Sequence, residues 1–294
     1  MKILDFGSIN IDLVYRVPHI VRPGETLSGS SLSNHAGGKG ANQAAALAKA
    51  GAEVFLAGKI GMDGSWILEK LEEVGVNTGF VEKSSERTGH AVIQVSDDGE
   101  NAIVLFGGGN REISGEDAVK VLDRFEEGDI LLLQNEISSI PFIMEKAYEK
   151  GMKIFFNPAP FDDEILNYPL DTVDVFIVNE TEGSGLCGGA EDSETIMDRL
   201  VSAYRGKDII LTLGARGVLF GKDDLRVSAE VVDVPVVDTT AAGDTFIGYY
   251  IEGYVRGMET EKLLSRACAA SSLTVTKPGA MESIPFAGEV DELV

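Results

Sequence analysis

The chain has 294 residues, 44% of them hydrophobic and 25% charged, and its 25 Lys+Arg against 48 Asp+Glu give a formal net charge of −23. That length suits one large domain or two small ones, and the composition is that of a globular chain rather than a disordered one. The acidic excess argues against general nucleic-acid binding and anionic membrane surfaces, while 2 Cys and 3 His rule out a disulfide scaffold and disfavour a zinc or haem site.

The acid at Asp5 interrupts what could have been a signal-peptide core, and no apolar run reaches the roughly 18–20 residues that span a bilayer. The expectation is a reduced, cytoplasmic setting, with neither nucleic acid nor membrane as partner.

In chain order, residues 3–9 read as a buried strand, and the Ala-rich segment 40–50 as a helix ended by Gly51. Residues 54–60 predict a strand and 65–74 a helix closing at Gly75. A helix at 116–125 precedes a strand at 129–134. Helix 140–150 carries Pro141 in its first turn and stops at Gly151. Strands follow at 153–157, 173–178 and 208–212, with a helix at 194–204. The apolar run 231–237 reads as a further strand, leading through a small-residue turn into a helix bearing Phe246, Tyr249 and Tyr250. This alternation predicts an α/β fold, a mostly parallel central sheet with helices on both faces.

Two stretches break the rhythm. Residues 12–34 hold short strand-like pieces around Pro18, Pro23 and Gly24, and 88–106 read as a hairpin turning at Asp97-Asp98-Gly99. They predict a small β-sheet lid over one end of the main sheet, where ligands of open α/β folds bind. The span 1–294 is expected to be a single domain with that lid.

Asp238-Thr239-Thr240-Ala241-Ala242-Gly243-Asp244 is the strongest chemical candidate. Small residues at a helix start let backbone N–H groups approach an anion, and Asp244 in the first turn is placed to accept a proton. An acid there can also simply complement the helix dipole. Gly37-Gly38-Lys39-Gly40-Ala41-Asn42-Gln43-Ala44 opens another helix with donors at Lys39 and Asn42 and lacks the Walker A spacing. Asn10 and Asp12, two apart after a strand, would face one way in an extended chain and suit vicinal hydroxyls, though both types are ordinary turn formers. Asn179-Glu180-Thr181-Glu182 puts carboxylates beyond a strand end, where they could organise hydrated Mg²⁺ or only cap a helix. Thr212-Leu213-Gly214-Ala215-Arg216-Gly217 is a glycine turn between strands, with donors for a nucleotide phosphate or merely a hairpin. His19, His35 and His90 show no ligand spacing.

Together with Gly7-Ser8-Ile9-Asn10, Pro23-Gly24-Glu25-Thr26, Thr88-Gly89, Asn157-Pro158-Ala159-Pro160 and Thr274-Val275-Thr276-Lys277-Pro278-Gly279-Ala280, these motifs resemble, in order, the ribokinase-like family of ATP-dependent carbohydrate kinases. The likeness covers nearly the whole chain. It implies a Rossmann-like fold with a β lid and phosphoryl transfer from ATP to the primary hydroxyl of a sugar. Ala241-Ala242 before Gly243-Asp244 is most similar to the ribose-specific branch. Deoxyribose, a ketohexose or a nucleoside is the alternative acceptor, and a non-catalytic sugar-binding module the alternative class.

By position, the resemblance implies that Asn10, Asp12, Gly38, Lys39, Asn42 and Glu136 bind the sugar and that Asp244 is the base. Ala241, Ala242 and Gly243 would form the anion hole; Asn179, Thr212, Gly214, Arg216 and Gly217 would contact ATP; Glu182 would help place Mg²⁺. A K⁺ ion would sit at Asp238, Thr240, Thr274, Lys277, Gly279 and Ser283, and homodimers would form through the lid. Departures from the family pattern are the extra glycine in Gly107-Gly108-Gly109-Asn110, Cys268 in the adenine region, and His35 and His90 beside sugar-side motifs.

Overall fold

Strands with apolar residues on both faces need cover on both, and such strands form the middle of the molecule. The computed structural model describes residues 1–190 and 192–293. The strands are β1 (Ile3–Phe6), β2 (Asn10–Val17), β3 (Ser31–Gly37), β4 (Val54–Ile60), β5 (Asn77–Lys83), β6 (Gly89–Ser96) and β7 (Asn101–Phe106). They continue with β8 (Ile130–Gln134), β9 (Lys153–Asn157), β10 (Val175–Asn179), β11 (Asp208–Thr212), β12 (Val218–Lys222) and β13 (Leu225–Ala229). Among the described residues they form a nine-stranded sheet, ordered β13-β12-β11-β10-β9-β8-β1-β4-β5, and a four-stranded sheet, ordered β3-β2-β6-β7. The large sheet is parallel from β5 to β11, and β12 and β13 extend it as an antiparallel hairpin.

Alternate residues of the central strands enter opposite layers, as the period of two requires. Ile3, Leu56, Leu132, Phe155, Ile177 and Ile210 pack with residues of helices Lys39–Ala50, Ala242–Val255 and Thr260–Thr274. Leu4, Phe6, Leu133, Phe156, Phe176 and Leu211 pack with residues of helices Gly115–Leu122, Ile140–Glu149 and Ser193–Ala203. On the first face Gly248 lies against Ala46 and the Leu47 backbone, so close that a Cβ there would collide, and two helices meet nearly backbone to backbone.

The expected α/β architecture and separate small sheet are both present, with two differences. The strand expected over 3–9 ends at Phe6; residues 7–9 cross between the sheets and Asn10 begins β2. The run 231–237 makes no ladder: Pro235 lacks an N–H, and Val236 and Val237 are 66% and 61% exposed. Cys268 is buried in the hydrophobic core. Strand β5, the β12–β13 pairing and helix Thr260–Thr274 were not anticipated.

The crossing at 7–9 fixes where the sheets meet. The amide of Ala41 donates to the Ser8 carbonyl at 2.9 Å, and that of Gly40 to Ser8 Oγ at 3.3 Å. A Cβ on Gly40 would stand 2.5 Å from Gly7 Cα and 2.5 Å from the Ser8 nitrogen. Replacing Gly40 by Ala should therefore cost about 1–3 kcal/mol, the scale of overpacking, in urea unfolding. Gly288→Ala, with open space at its Cβ, serves as the control and should change stability by less than about 0.5 kcal/mol.

Candidate active site

The carboxyl ends of β1, β8, β9, β10 and β11 deliver polar residues to one edge of the large sheet, and the small sheet is rooted at the same edge. Beyond β8, Glu136 receives the Ser8 hydroxyl and the Lys39 amide, the latter at 3.2 Å. The first helix thus has an internal carboxylate at its N-terminus. Gly38, with φ +91°, presses on the Ser8–Asn10 backbone. Asn110 fastens β2 from the other side: its Oδ1 accepts from the Ile9 amide at 3.1 Å, and its Nδ2 donates to Asn10 Oδ1 at 2.8 Å.

Asp12 follows on β2, its carboxylate over Gly37, where a Cβ would collide with it. Burial, with the negative charges of Glu136, Asp244 and Glu282, pushes its carboxyl up to about 7.

Asp244 lies in the first turn of helix Ala242–Val255, buried and facing a cleft of about 240 Å³. Its Oδ2 accepts from Asn42 Nδ2 at 3.0 Å and its Oδ1 from Gln43 Nε2 at 2.9 Å. No side chain caps this helix, and the N–H groups of Gly243 and Asp244 have no partner among the described residues. Ala241 precedes them at φ 59°, ψ 8°, a left-handed conformation costing about 1–2 kcal/mol outside glycine. The turn is held by Thr245 N–H to the Ala241 carbonyl, 2.8 Å, and by Ser271 Oγ to the Ala242 carbonyl, 2.9 Å. Free amides, an uncapped helix start and an adjacent carboxylate make an anion site with a proton acceptor beside it.

Lys39, Asn179, Glu182 and Thr212 line the same cleft with Ala241, Gly243 and Asp244. Glu182 and Asn179 form a reciprocal cap: the Asn179 amide and Nδ2 donate to the carboxylate at 3.0 and 2.9 Å, and Glu182 N–H donates back to Asn179 Oδ1 at 2.9 Å. Burial raises the Glu182 carboxyl, against the Asn179 hydrogen bond and the Lys39 charge. Burial pulls the Lys39 ammonium down, but Asp244, Glu136 and Glu182 outweigh it and hold the ammonium above its ordinary value. Arg216 turns to Glu180 at 2.6 Å on the surface and is not among the cleft-lining residues. Gly214 and Gly217 bracket the short 3-10 turn between β11 and β12.

Asp238 organises the loop before the helix. Its Oδ1 accepts from the Thr240 amide and hydroxyl at 2.9 and 2.6 Å, and its Oδ2 from the Gly279 amide at 3.0 Å. Burial works to raise its carboxyl, but these bonds hold it below the usual range. Thr274 is buried and bonds Thr245 Oγ1, Ser283 is buried on the Ala280 carbonyl, and the Lys277 ammonium pairs with Glu289 at 3.0 Å. Among the described residues no group of three His, Cys, Asp or Glu side chains forms a ready-made metal cluster.

The sequence profile of the pfkB family carbohydrate kinases matches residues 2–287. This chain belongs to that family. It is 35% identical over 299 residues to a ribokinase of Haemophilus influenzae, covering 98% of this chain and 96% of that one. A ribokinase from Cryptococcus neoformans in complex with ADP superposes with a TM-score of 0.86 at 36% identity, over 100% of this chain and 99% of the other. An Arabidopsis thaliana ribokinase complexed with ribose and ATP does so at 0.87 and 31%, over 99% and 98%. The protein is thus a carbohydrate kinase, and among its described residues no helix is long and apolar enough to cross a membrane.

Gln43, Gln134 and Asn157 were assigned no role from sequence, yet they bond to one another or to Asp244. The signal was present: each is a polar residue at or beside the buried end of an apolar element.

The raised Asp12 carboxyl has a folding consequence. The folded kinase keeps a proton there between about pH 4 and 7 that the unfolded chain releases, so this group's contribution to stability falls as pH rises through that window. Asp12→Asn should therefore raise the unfolding temperature at pH 8, and the gain should vanish toward pH 4. A gain independent of pH would contradict the assignment.

Proposed function

We propose that this kinase transfers the γ-phosphoryl group of ATP to the primary hydroxyl of D-ribose, giving ribose 5-phosphate. The observation that carries the reading is the pairing of Asp244 with the free amides of its own helix start, in one cleft with Lys39, Asn179, Glu182 and Thr212. Its likeness to ribokinases, one complexed with ribose and ATP, supports the choice of substrates.

On this reading Asn10, Asp12, Gly38, Lys39, Asn42 and Glu136 hold the sugar. Asp244 takes the hydroxyl proton. Each of its oxygens accepts one amide N–H, which leaves a second lone pair on each. The anion hole of Ala241, Ala242 and Gly243 would face the negative charge that grows on the phosphoryl oxygens, the free Gly243 amide foremost, since the Ala242 amide donates to the Thr239 carbonyl at 3.3 Å. Lys39, at the cleft wall, stays protonated and neutralises charge there. Asn179, Thr212, Gly214, Arg216 and Gly217 receive the nucleotide. Positioning and electrostatics suffice, because phosphoryl transfer asks little covalent chemistry of the protein.

The residues fit both expected ions. Glu182 Oε1 accepts only from Asn179 Nδ2, leaving room for a water of hydrated Mg²⁺. Asp238, Thr240, Thr274, Lys277, Gly279 and Ser283 offer the oxygen donors that suit K⁺, the carbonyl serving at Lys277 and Gly279, and Asp238 Oδ2 holds a single hydrogen bond. Bound ions of this kind supply positive charge to the phosphates and to the helix start.

We read the whole chain as one catalytic domain whose small sheet is the lid. Ile103, Val104, Leu105 and Phe106 on β7 are 51–66% exposed, an apolar strip that supports homodimer formation through the lid.

Asp244→Asn should lower turnover by roughly 10²–10⁴, the scale of general-base catalysis, with sugar binding retained by calorimetry. In a panel of ribose, deoxyribose, ketohexoses and nucleosides with Mg²⁺ and ATP, ribose should give the highest kcat/KM. Another acceptor ranked first, or binding with no phosphorylated product, would overturn the reading. In a separate assay, adding K⁺ to a cation-free mixture of enzyme, Mg²⁺ and ATP should raise the rate; equal rates would remove the K⁺ site.

A further inference from the structure

Behind Asp244 runs a line of buried amides that ends on a second carboxyl group with no part in the mechanism above. Gln43 Nε2 donates to Asp244 Oδ1 at 2.9 Å and to Asn157 Oδ1 at 3.4 Å. Gln43 Oε1 accepts from Gln134 Nε2 at 2.8 Å, and Gln134 Nε2 donates again, at 3.0 Å, to Asp5 Oδ1. Asp5, Gln43 and Gln134 are each buried to 1% exposure or less.

The polarity of this line is determined. Asp244 can only accept while ionised, so Gln43 must turn its NH₂ toward it and its oxygen toward Gln134. Gln134 must then present its NH₂ to Gln43, and the same NH₂ reaches Asp5. Two acceptors are left over at the far end: Asp5 Oδ2 and Gln134 Oε1 are buried and have no partner among the described residues. They belong to the two groups already joined through Asp5 Oδ1 and Gln134 Nε2. An ionised Asp5 would leave both oxygens unsatisfied, a desolvation penalty for each group that is larger for the charged one. One proton on Oδ2 turns the pair into a carboxylic acid facing an amide, each donating once and accepting once.

We infer that Asp5 is a neutral carboxylic acid whose Oδ2–H donates to Gln134 Oε1, and that this pair is a positioning device for Asp244, setting the orientation of Gln134 and through it that of Gln43. The surroundings agree. Burial raises the Asp5 carboxyl well above its ordinary range and the Asp244 charge adds to this, against the bond from Gln134. The groups facing Asp5 are Gln134 on β8, with Gln43 of helix Lys39–Ala50 behind it and Asp244 of helix Ala242–Val255 acting through its charge; its strand neighbours are Leu56 and Leu132. No cation acts on it among the described residues.

The positioning role rests on the proposed kinase chemistry, and the protonation does not, so the test has two arms. In the first, urea unfolding of the full chain and of Asp5→Asn is compared from pH 5 to pH 9. The unfolded chain releases the Asp5 proton near pH 4 and the folded chain retains it. Wild type should therefore lose stability relative to Asp5→Asn with rising pH, by about tenfold in the folding constant for each pH unit up to the folded titration. A difference that stays constant across the range means Asp5 is ionised and overturns the inference, whatever reaction the protein performs.

In the second arm, Asp5→Asn can rebuild the pair as amide against amide, and Asp5→Leu cannot. Asp5→Asn should keep kcat within about twofold of wild type, while Asp5→Leu loses about 10- to 100-fold in kcat with both KM values within about threefold, the pattern of a displaced reacting group. Equal kcat for the two variants refutes the positioning role. If Asp5→Leu does not fold, the first arm and the kcat of Asp5→Asn decide.

Discussion

The hold of Asn42 and Gln43 on the Asp244 carboxylate is the contact on which the rest of the site turns. Two consecutive residues of one helix reach the first turn of another, more than 200 positions later in the chain. They can do so because Gly248 lets the helices close to backbone contact at Ala46 and Leu47. The same contact leaves the start of the second helix uncapped and open to the cleft. Packing of two helix faces therefore sets how the Asp244 carboxylate is held by the Asn42 and Gln43 amides. A shift of one helix would break both bonds at once.

The electrostatics follow from the same crowding. Glu136, Glu182 and Asp244 converge around Lys39, and Asp12 feels two of them, in a chain that already carries a net charge of −23. The site's own side chains are short of positive charge, and burial, with repulsion added, raises the carboxyls of Asp12 and Glu182. A site in this state is relieved by hydroxyl donors and cations and burdened by further anions. Nucleotide phosphates would therefore gain most from arriving with a metal ion already bound.

Much of this was legible in the residues. Apolar runs of strand length with helical stretches between them announced the parallel sheet, and the two helix-free excursions announced the small one. The residues that surround Asp244 lay in quoted motifs because each needs a small neighbour or a strand end, and both leave marks in a sequence. What stayed hidden is long-range. Nothing local to Gln134 or Asp5 says that they are bonded, since 129 positions separate them and only the sheet brings them together. The run 231–237 misled because its composition is that of a strand, whereas pairing depends on an available edge and on an N–H that Pro235 lacks.

The root of the small sheet carries one more implication. Asn10 and Gly37 lie opposite each other at the end of the small sheet next to the crossing residues 7–9, against the start of the first helix. At about 3.3 Å per residue, Asp12 stands roughly 7 Å out from that root and Val17 roughly 23 Å. For a rigid tilt about this fulcrum, the arc swept at the rim is some three times that at Asp12. The leverage is unequal: a swing that bares or covers the mouth of the cleft would carry the carboxylate nearest the hinge line only about a third as far as the rim.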